Sequence, residues 1–94
     1  MSRRAGEPYR LDLAPAAQRQ IRRLPPGDAA RLRAPILALA TEPRPPGCAR
    51  LTDSGFWRLR VGDLRVVYAI DDVARCVVVL VATRRSESTY RRAR

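Results

Sequence analysis

Trp57-Arg58-Leu59-Arg60-Val61-Gly62-Asp63-Leu64-Arg65-Val66-Val67-Tyr68 holds two alternating runs on either side of a Gly-Asp pair. Glycine in the first position of a two-residue loop suits a tight hairpin turn. With Gly62 and Asp63 as the turn, Val61 faces Leu64, Arg60 faces Arg65, Leu59 faces Val66, Arg58 faces Val67 and Trp57 faces Tyr68. Trp57, Leu59, Val61, Leu64, Val66 and Tyr68 then share one large apolar face, which must be the core side. Arg58, Arg60 and Arg65 share the other. A slip of one residue would drive the guanidiniums into the core, so the register is strongly specified.

Outward from the hairpin, Arg75–Ala82 reads as a further strand after the turn Asp71-Asp72-Val73-Ala74, with Ile70 facing Arg75 and Tyr68 facing Val77. Strict alternation then places Val77, Val79 and Val81 on the core face. Cys76, Val78, Leu80 and Ala82 fall on the arginine face, with Arg84 following in the same phase. Upstream, Tyr9-Arg10-Leu11-Asp12-Leu13 alternates as a first strand. Pro15 suits the first position of a helix whose stripe is Leu13, Ala17, Ile21 and Leu24. Pro25-Pro26-Gly27 ends it, and Asp28 is placed to cap a second helix carrying Ala29, Leu32, Ile36 and Leu39. Pro35 should kink or shorten that helix. Glu42–Gly47 is a stiff loop. Arg19, Arg22, Arg23, Arg31 and Arg33 read as solvated helix faces.

The expected fold is α+β: an N-terminal strand and a two-helix hairpin packed on one face of a mostly antiparallel four-stranded sheet. Residues 1–94 form one domain on this view, with 1–8 and 91–94 as flexible tails.

The chain carries 19 basic residues against 9 acidic ones, a net +10, and every basic residue is arginine. That balance suits a polyanionic partner, though it is spread along the sequence and only folding can concentrate it. There is no histidine, so the commonest general base and metal ligand are missing. Cys48 and Cys76 lie far apart without a paired-cysteine motif, which argues against zinc. No metal or other cofactor is expected. Neither a signal sequence nor an apolar run long enough for a bilayer is present, so a cytoplasmic protein with free thiols is expected.

Arg60 opposite Arg65 is costly. Like charges at such a pair destabilise a sheet by roughly 0.2–1 kcal/mol. A solvated polar face is the ordinary alternative, but three same-sign residues at neighbouring positions favour a phosphate site, whose oxygens fit the guanidinium fork. The same face offers an apolar strip that includes Val67 and Ala69. The C-terminal tail or a partner helix is expected to cover it. If RNA is cut, a 2′-hydroxyl attacks the adjacent phosphorus. Arginine stabilises the crowded phosphate but makes a poor base. Glu87 and Tyr90 are the proton-handling candidates.

The hairpin, together with Pro45-Pro46-Gly47-Cys48-Ala49-Arg50-Leu51 upstream and Val81-Ala82-Thr83-Arg84-Arg85…Tyr90 downstream, resembles the RelE/ParE superfamily of bacterial type II toxins over Tyr9 to about Tyr90. In the favoured RelE-like branch, the resemblance implies a ribosome-dependent mRNA endoribonuclease that inhibits translation. A small acidic antitoxin encoded alongside would neutralise it by wrapping the open sheet face. Arg58 and Arg60 match two strand positions often held by lysine, Arg65 a phosphate-binding arginine, Arg84 the arginine after the last strand, and Tyr90 a C-terminal tyrosine. Arg85 is expected to add RNA-binding charge. Arginine in place of the two lysines favours electrostatic stabilisation over a base role, and Thr83 stands where His or Lys is often found. Two alternatives share the fold: a ParE-like DNA gyrase inhibitor and an inactive nucleic-acid-binding module.

Overall fold

Each helix opens on a proline. In the computed structural model, which describes residues 7–84, Pro15 starts α1 (Pro15–Arg23) and Pro26 starts α2 (Pro26–Ala38). The first helical N–H has no partner within a helix, so proline loses nothing there. Asp28 consequently lies in the first turn of α2 rather than capping it; Pro25 takes the cap position, and its carbonyl accepts from the Asp28 and Ala29 amides. Pro35 does not end α2, which runs on to Ala38.

The strands are β1 (Arg10–Leu13), β2 (Ala49–Arg50), β3 (Trp57–Val61), β4 (Leu64–Asp71) and β5 (Cys76–Arg84). They form one sheet in the order β1-β5-β4-β3-β2. The sheet therefore has five strands rather than the expected four, because the short Ala49–Arg50 segment pairs with Trp57 and Arg58 at the edge. Two residues are too few to produce a legible alternation. β1 lies parallel to β5 and every other pair is antiparallel. The two helices intervene between β1 and the hairpin, which lets β1 run alongside β5 in the same direction.

The β3–β4 register is the one the alternation dictates, from Val61 opposite Leu64 to Trp57 opposite Tyr68. Gly62 has φ +61° and Asp63 stays at negative φ, as a turn with glycine first requires. The core forms on one side of the sheet, where Leu59, Leu64, Val66, Tyr68, Val77, Val79 and Ala82 meet Ala17, Leu32, Ile36 and Leu39. Both helices thus cover one face.

The β4–β5 pairing departs from strict alternation. Ile70 faces Val77 and Tyr68 faces Val79, two residues beyond the expected partners, because the loop comprises residues 72–75 and Asp71 pairs with Cys76. Arg75 takes the left-handed conformation, φ +53°, that closes this loop. Next comes a bulge: Val67 pairs with Val81, so Leu80 has no opposite number in β4. Every side chain after Leu80 changes face. Ala82, expected on the arginine face, is fully buried in the core, and Val81 takes the open side instead.

A polar clamp fixes the end of the sheet away from the hairpin turn. Arg44 Nη1 and Nη2 donate to Asp72 Oδ1 and Oδ2 at 3.2 and 2.8 Å, and Tyr9 Oη donates to Asp72 Oδ1 at 2.7 Å. The Arg44 guanidinium lies 5.0 Å from the Trp57 ring centroid and that of Arg75 lies 4.4 Å from the Tyr9 ring. This network ties the loop after α2 to the β4–β5 loop and to the start of β1.

Candidate nucleic-acid interface

Arg60 and Arg65 sit directly opposite one another on the side of the sheet away from the helices. In a two-residue hairpin the pair next to the turn exchanges both hydrogen bonds. Arg60–Arg65 is therefore a non-hydrogen-bonded pair, the closer kind, with Cα atoms about 4.5 Å apart. Arg58 lies two residues along β3 on the same face, about 7 Å away. Among the described residues, the strand acids on this face, Asp12 and Asp71, stand at its opposite end. Arg60 is exposed, and among the described residues it makes no ion pair. Arg58 is half-buried, with its Nε enclosed and without a hydrogen-bond acceptor. The three arginines share one face of the β3–β4 hairpin and concentrate positive charge there.

Arg84 does not join them. The bulge at Leu80 turns it to the helix side opposite Leu64, where its guanidinium donates to Asp28 Oδ2 in α2 and to Asp63 Oδ2 at 3.1 Å. Arg31 bridges the same two carboxylates, at 3.3 Å to Asp28 Oδ1 and 3.8 Å to Asp63 Oδ1. Two arginines and two aspartates thus alternate around the hairpin turn. Thr83, rather than Arg84, faces Arg65 across β4–β5, and it is nearly buried. Arg85, Glu87 and Tyr90 lie outside the described residues.

Next to the basic cluster the face is apolar: Val67, Ala69, Val78 and Val81 are half-buried. At its far end the Cys76 thiol lies 3.7 Å from Asp12 Oδ2 and 3.9 Å from Arg10 Nη2. Both cysteines are free. Among the described residues no group of His, Cys, Asp and Glu is arranged to hold a metal, and no helix is long and apolar enough to cross a membrane.

The sequence profile of the ParE toxin of type II toxin-antitoxin system, parDE, matches residues 11–87. This chain belongs to that toxin family.

Solved structures place the toxin among RelE-like relatives. The RelBE2 toxin–antitoxin complex of Mycobacterium tuberculosis contains a chain that is 29% identical, with a TM-score of 0.76; the match covers 85% of the toxin and 94% of that chain. The archaeal RelE–RelB complex of Pyrococcus horikoshii gives 24% identity and a TM-score of 0.73, over 84% and 97% of the two chains. The isolated E. coli RelE toxin gives 23% and 0.62, over 90% and 94%. The last two show the shared fold. None of the curated proteins matches the sequence.

One exposed aromatic side chain was not singled out from the sequence. Phe56 continues the phase of Arg58 and Arg60 and is 38% exposed. The acidic partners of Arg84 were not legible: Asp28 and Asp63 are 35 positions apart, and no local spacing brings them together.

Proposed function

We propose that the toxin is a ribosome-dependent mRNA endoribonuclease of the cytoplasm that inhibits translation by cutting RNA through 2′-hydroxyl attack. The observation that supports this proposal is the register that puts Arg58, Arg60 and Arg65 on the sheet face away from the helices. Attack on phosphorus concentrates negative charge on the non-bridging oxygens. Fixed guanidiniums stabilise that charge more in the transition state than in the bound RNA, which is what accelerates a reaction. The chain has no histidine, and arginine holds its proton. Proton transfer therefore falls to Glu87 and Tyr90, with Arg85 as added RNA-binding charge. Arg84 contributes to cleavage only when phosphate draws it from Asp28 and Asp63.

A cognate antitoxin completes the system. The relatives in the two RelB-containing complexes are toxins bound to antitoxins. A small acidic antitoxin lying over the open face would neutralise the arginines and cover the Val67, Ala69, Val78 and Val81 strip. Primer extension on mRNA translated by purified ribosomes tests the activity. New 5′ ends that vanish with Arg65→Ala are expected, and their absence from the wild type would remove the nuclease function.

One observation favours a second function. Arg84 is held by carboxylates on the helix side, so a cleavage set including it is incomplete in this conformation. Inhibition of DNA gyrase by protein contact, on the same fold, needs no such set. A supercoiling assay with purified gyrase decides between the two.

A further inference from the structure

We propose that Phe56 is a stacking platform for one RNA base, placed beside the arginine cluster so that base and phosphate are gripped together. The proposal rests on the RNA-cutting function and deepens it by naming how a nucleotide is seated.

Aromatic residues are scarce here: Tyr9, Phe56, Trp57, Tyr68 and Tyr90 are all there are. Among the described ones, Tyr68 is fully buried, Trp57 packs on the core beneath Arg44, and Tyr9 is engaged by Asp72 and Arg75. Phe56 alone of these four is an exposed ring. It directly precedes β3, and alternation gives it the face of Arg58 and Arg60, opposite Trp57.

The backbone that presents it is tightly defined. Phe56 O accepts from the Leu51 amide at 2.8 Å, extending the β2–β3 pairing by one step. Its N–H donates to Ser54 Oγ at 3.1 Å, and Gly55 N donates to Leu51 O at 2.8 Å. Gly55 has φ +77°, which lets the chain double back within five residues. A ring held this way loses little freedom when a base stacks on it.

Spacing and charge identify the ligand. Phe56, Arg58 and Arg60 follow at two-residue intervals along one face, about 7 Å apart. A π-face in line with guanidiniums is the combination that binds extended single strands: stacking holds the base and the cations follow the backbone. A purely apolar partner would gain nothing from Arg58 and Arg60. A simple anion would gain nothing from the ring.

The test uses the full-length chain and a short fluorescein-labelled single-stranded RNA at low salt, read by anisotropy, alongside the same RNA made abasic at single positions. Phe56→Leu keeps the apolar bulk and removes the π-face. It should weaken binding on the order of 5- to 100-fold. Phe56→Trp should bind as well as the wild type or better. At one abasic position the wild type should fall to the level of Phe56→Leu, and the variant should lose nothing more. Binding that requires Arg60 but is indifferent to Phe56→Leu overturns the platform and leaves the RNA function standing. RNA affinity unchanged while antitoxin capture weakens assigns the ring to a protein partner and overturns it too. A wild-type chain that binds no RNA overturns the platform, while primer extension on translating ribosomes tests the cleavage function separately. If Phe56→Leu lowers thermal stability, Phe56→Trp decides: weakened binding by that variant with its fold intact refutes the platform.

Discussion

The Arg84 guanidinium is bonded to the Asp28 carboxylate, joining the end of β5 to the first turn of α2. Asp28 keeps only 14% of its side-chain surface and Arg84 about a third. The first turn of a helix favours a carboxylate, and that carboxylate in turn holds the arginine. Asp63, on the hairpin turn, holds the same guanidinium, so β5, α2 and the turn meet in one polar knot.

Arg84 is accordingly worth stability. A double-mutant cycle on Arg84→Ala and Asp28→Asn, followed by urea unfolding, should give a coupling energy of about 1 kcal/mol. Additive effects would show that the pair contributes nothing. If Arg84 also serves in cleavage, Asp28→Asn combined with Asp63→Asn releases it from both carboxylates, and RNA cleavage rises while stability falls.

Arg60→Ala should separate function from stability in opposite directions. Removing one member of the Arg60–Arg65 pair relieves a like-charge contact, so the variant should unfold at equal or higher urea concentration, by up to about 1 kcal/mol. RNA binding should weaken, and the salt dependence of the affinity should lose about 0.7 of a unit of slope, the share of one phosphate contact on a single strand. An unchanged salt slope would show that Arg60 touches no phosphate.

Gly62→Ala tests the hairpin turn. At φ +61° a side chain is strained by about 1–2 kcal/mol. The new Cβ would also overlap Arg31 Nη2, so the end of the Arg31 side chain must shift beside its two carboxylates. In an Arg31→Ala background only the backbone strain should remain. The loss of thermal stability should be smaller there.

Asp72 makes stability pH-dependent on the acid side. The Arg44 hydrogen bond first, and that of Tyr9 second, hold its carboxyl below the ordinary value of 3.8. A carboxylate whose pKa is lower folded than unfolded contributes stability in full above the unfolded pKa. The contribution is lost as pH falls through the folded one. Thermal midpoints should therefore drop as pH falls below about 3.8, and Asp72→Asn should flatten that part of the profile. Tyr9 behaves oppositely: the Asp72 hydrogen bond raises its pKa above 10.0, so its contribution persists at neutral pH and is lost only in strong alkali.

Tyr68 anchors the loop after α2. Its hydroxyl donates to the Pro43 carbonyl at 2.8 Å, and burial pushes its pKa far up, so it stays protonated. Tyr68→Phe should cost about 1 kcal/mol in urea unfolding with the fold retained. A larger loss accompanied by release of the Arg44–Asp72 contact would show that the hydroxyl positions the whole loop.

Taken alone, the sequence determined the hairpin, the two helices and the positions of Arg58, Arg60 and Arg65. In the hairpin the side chains alternate strongly enough that one register buries the apolar set and any other buries charge, and in the helices the apolar residues recur at three- and four-residue intervals. It placed Val77 and Val79 on the core face correctly but could not show where β5 changes phase, because Cys76 through Ala82 are all apolar and a uniformly apolar strand looks the same from both faces. Only packing against β4 decided that. The bulge at Leu80 seats Ala82 in the core and sends Arg84 to Asp28 and Asp63 instead of to the other arginines. The short edge strand β2 was likewise a tertiary decision, since its two residues acquire strand character only from the neighbour they pair with.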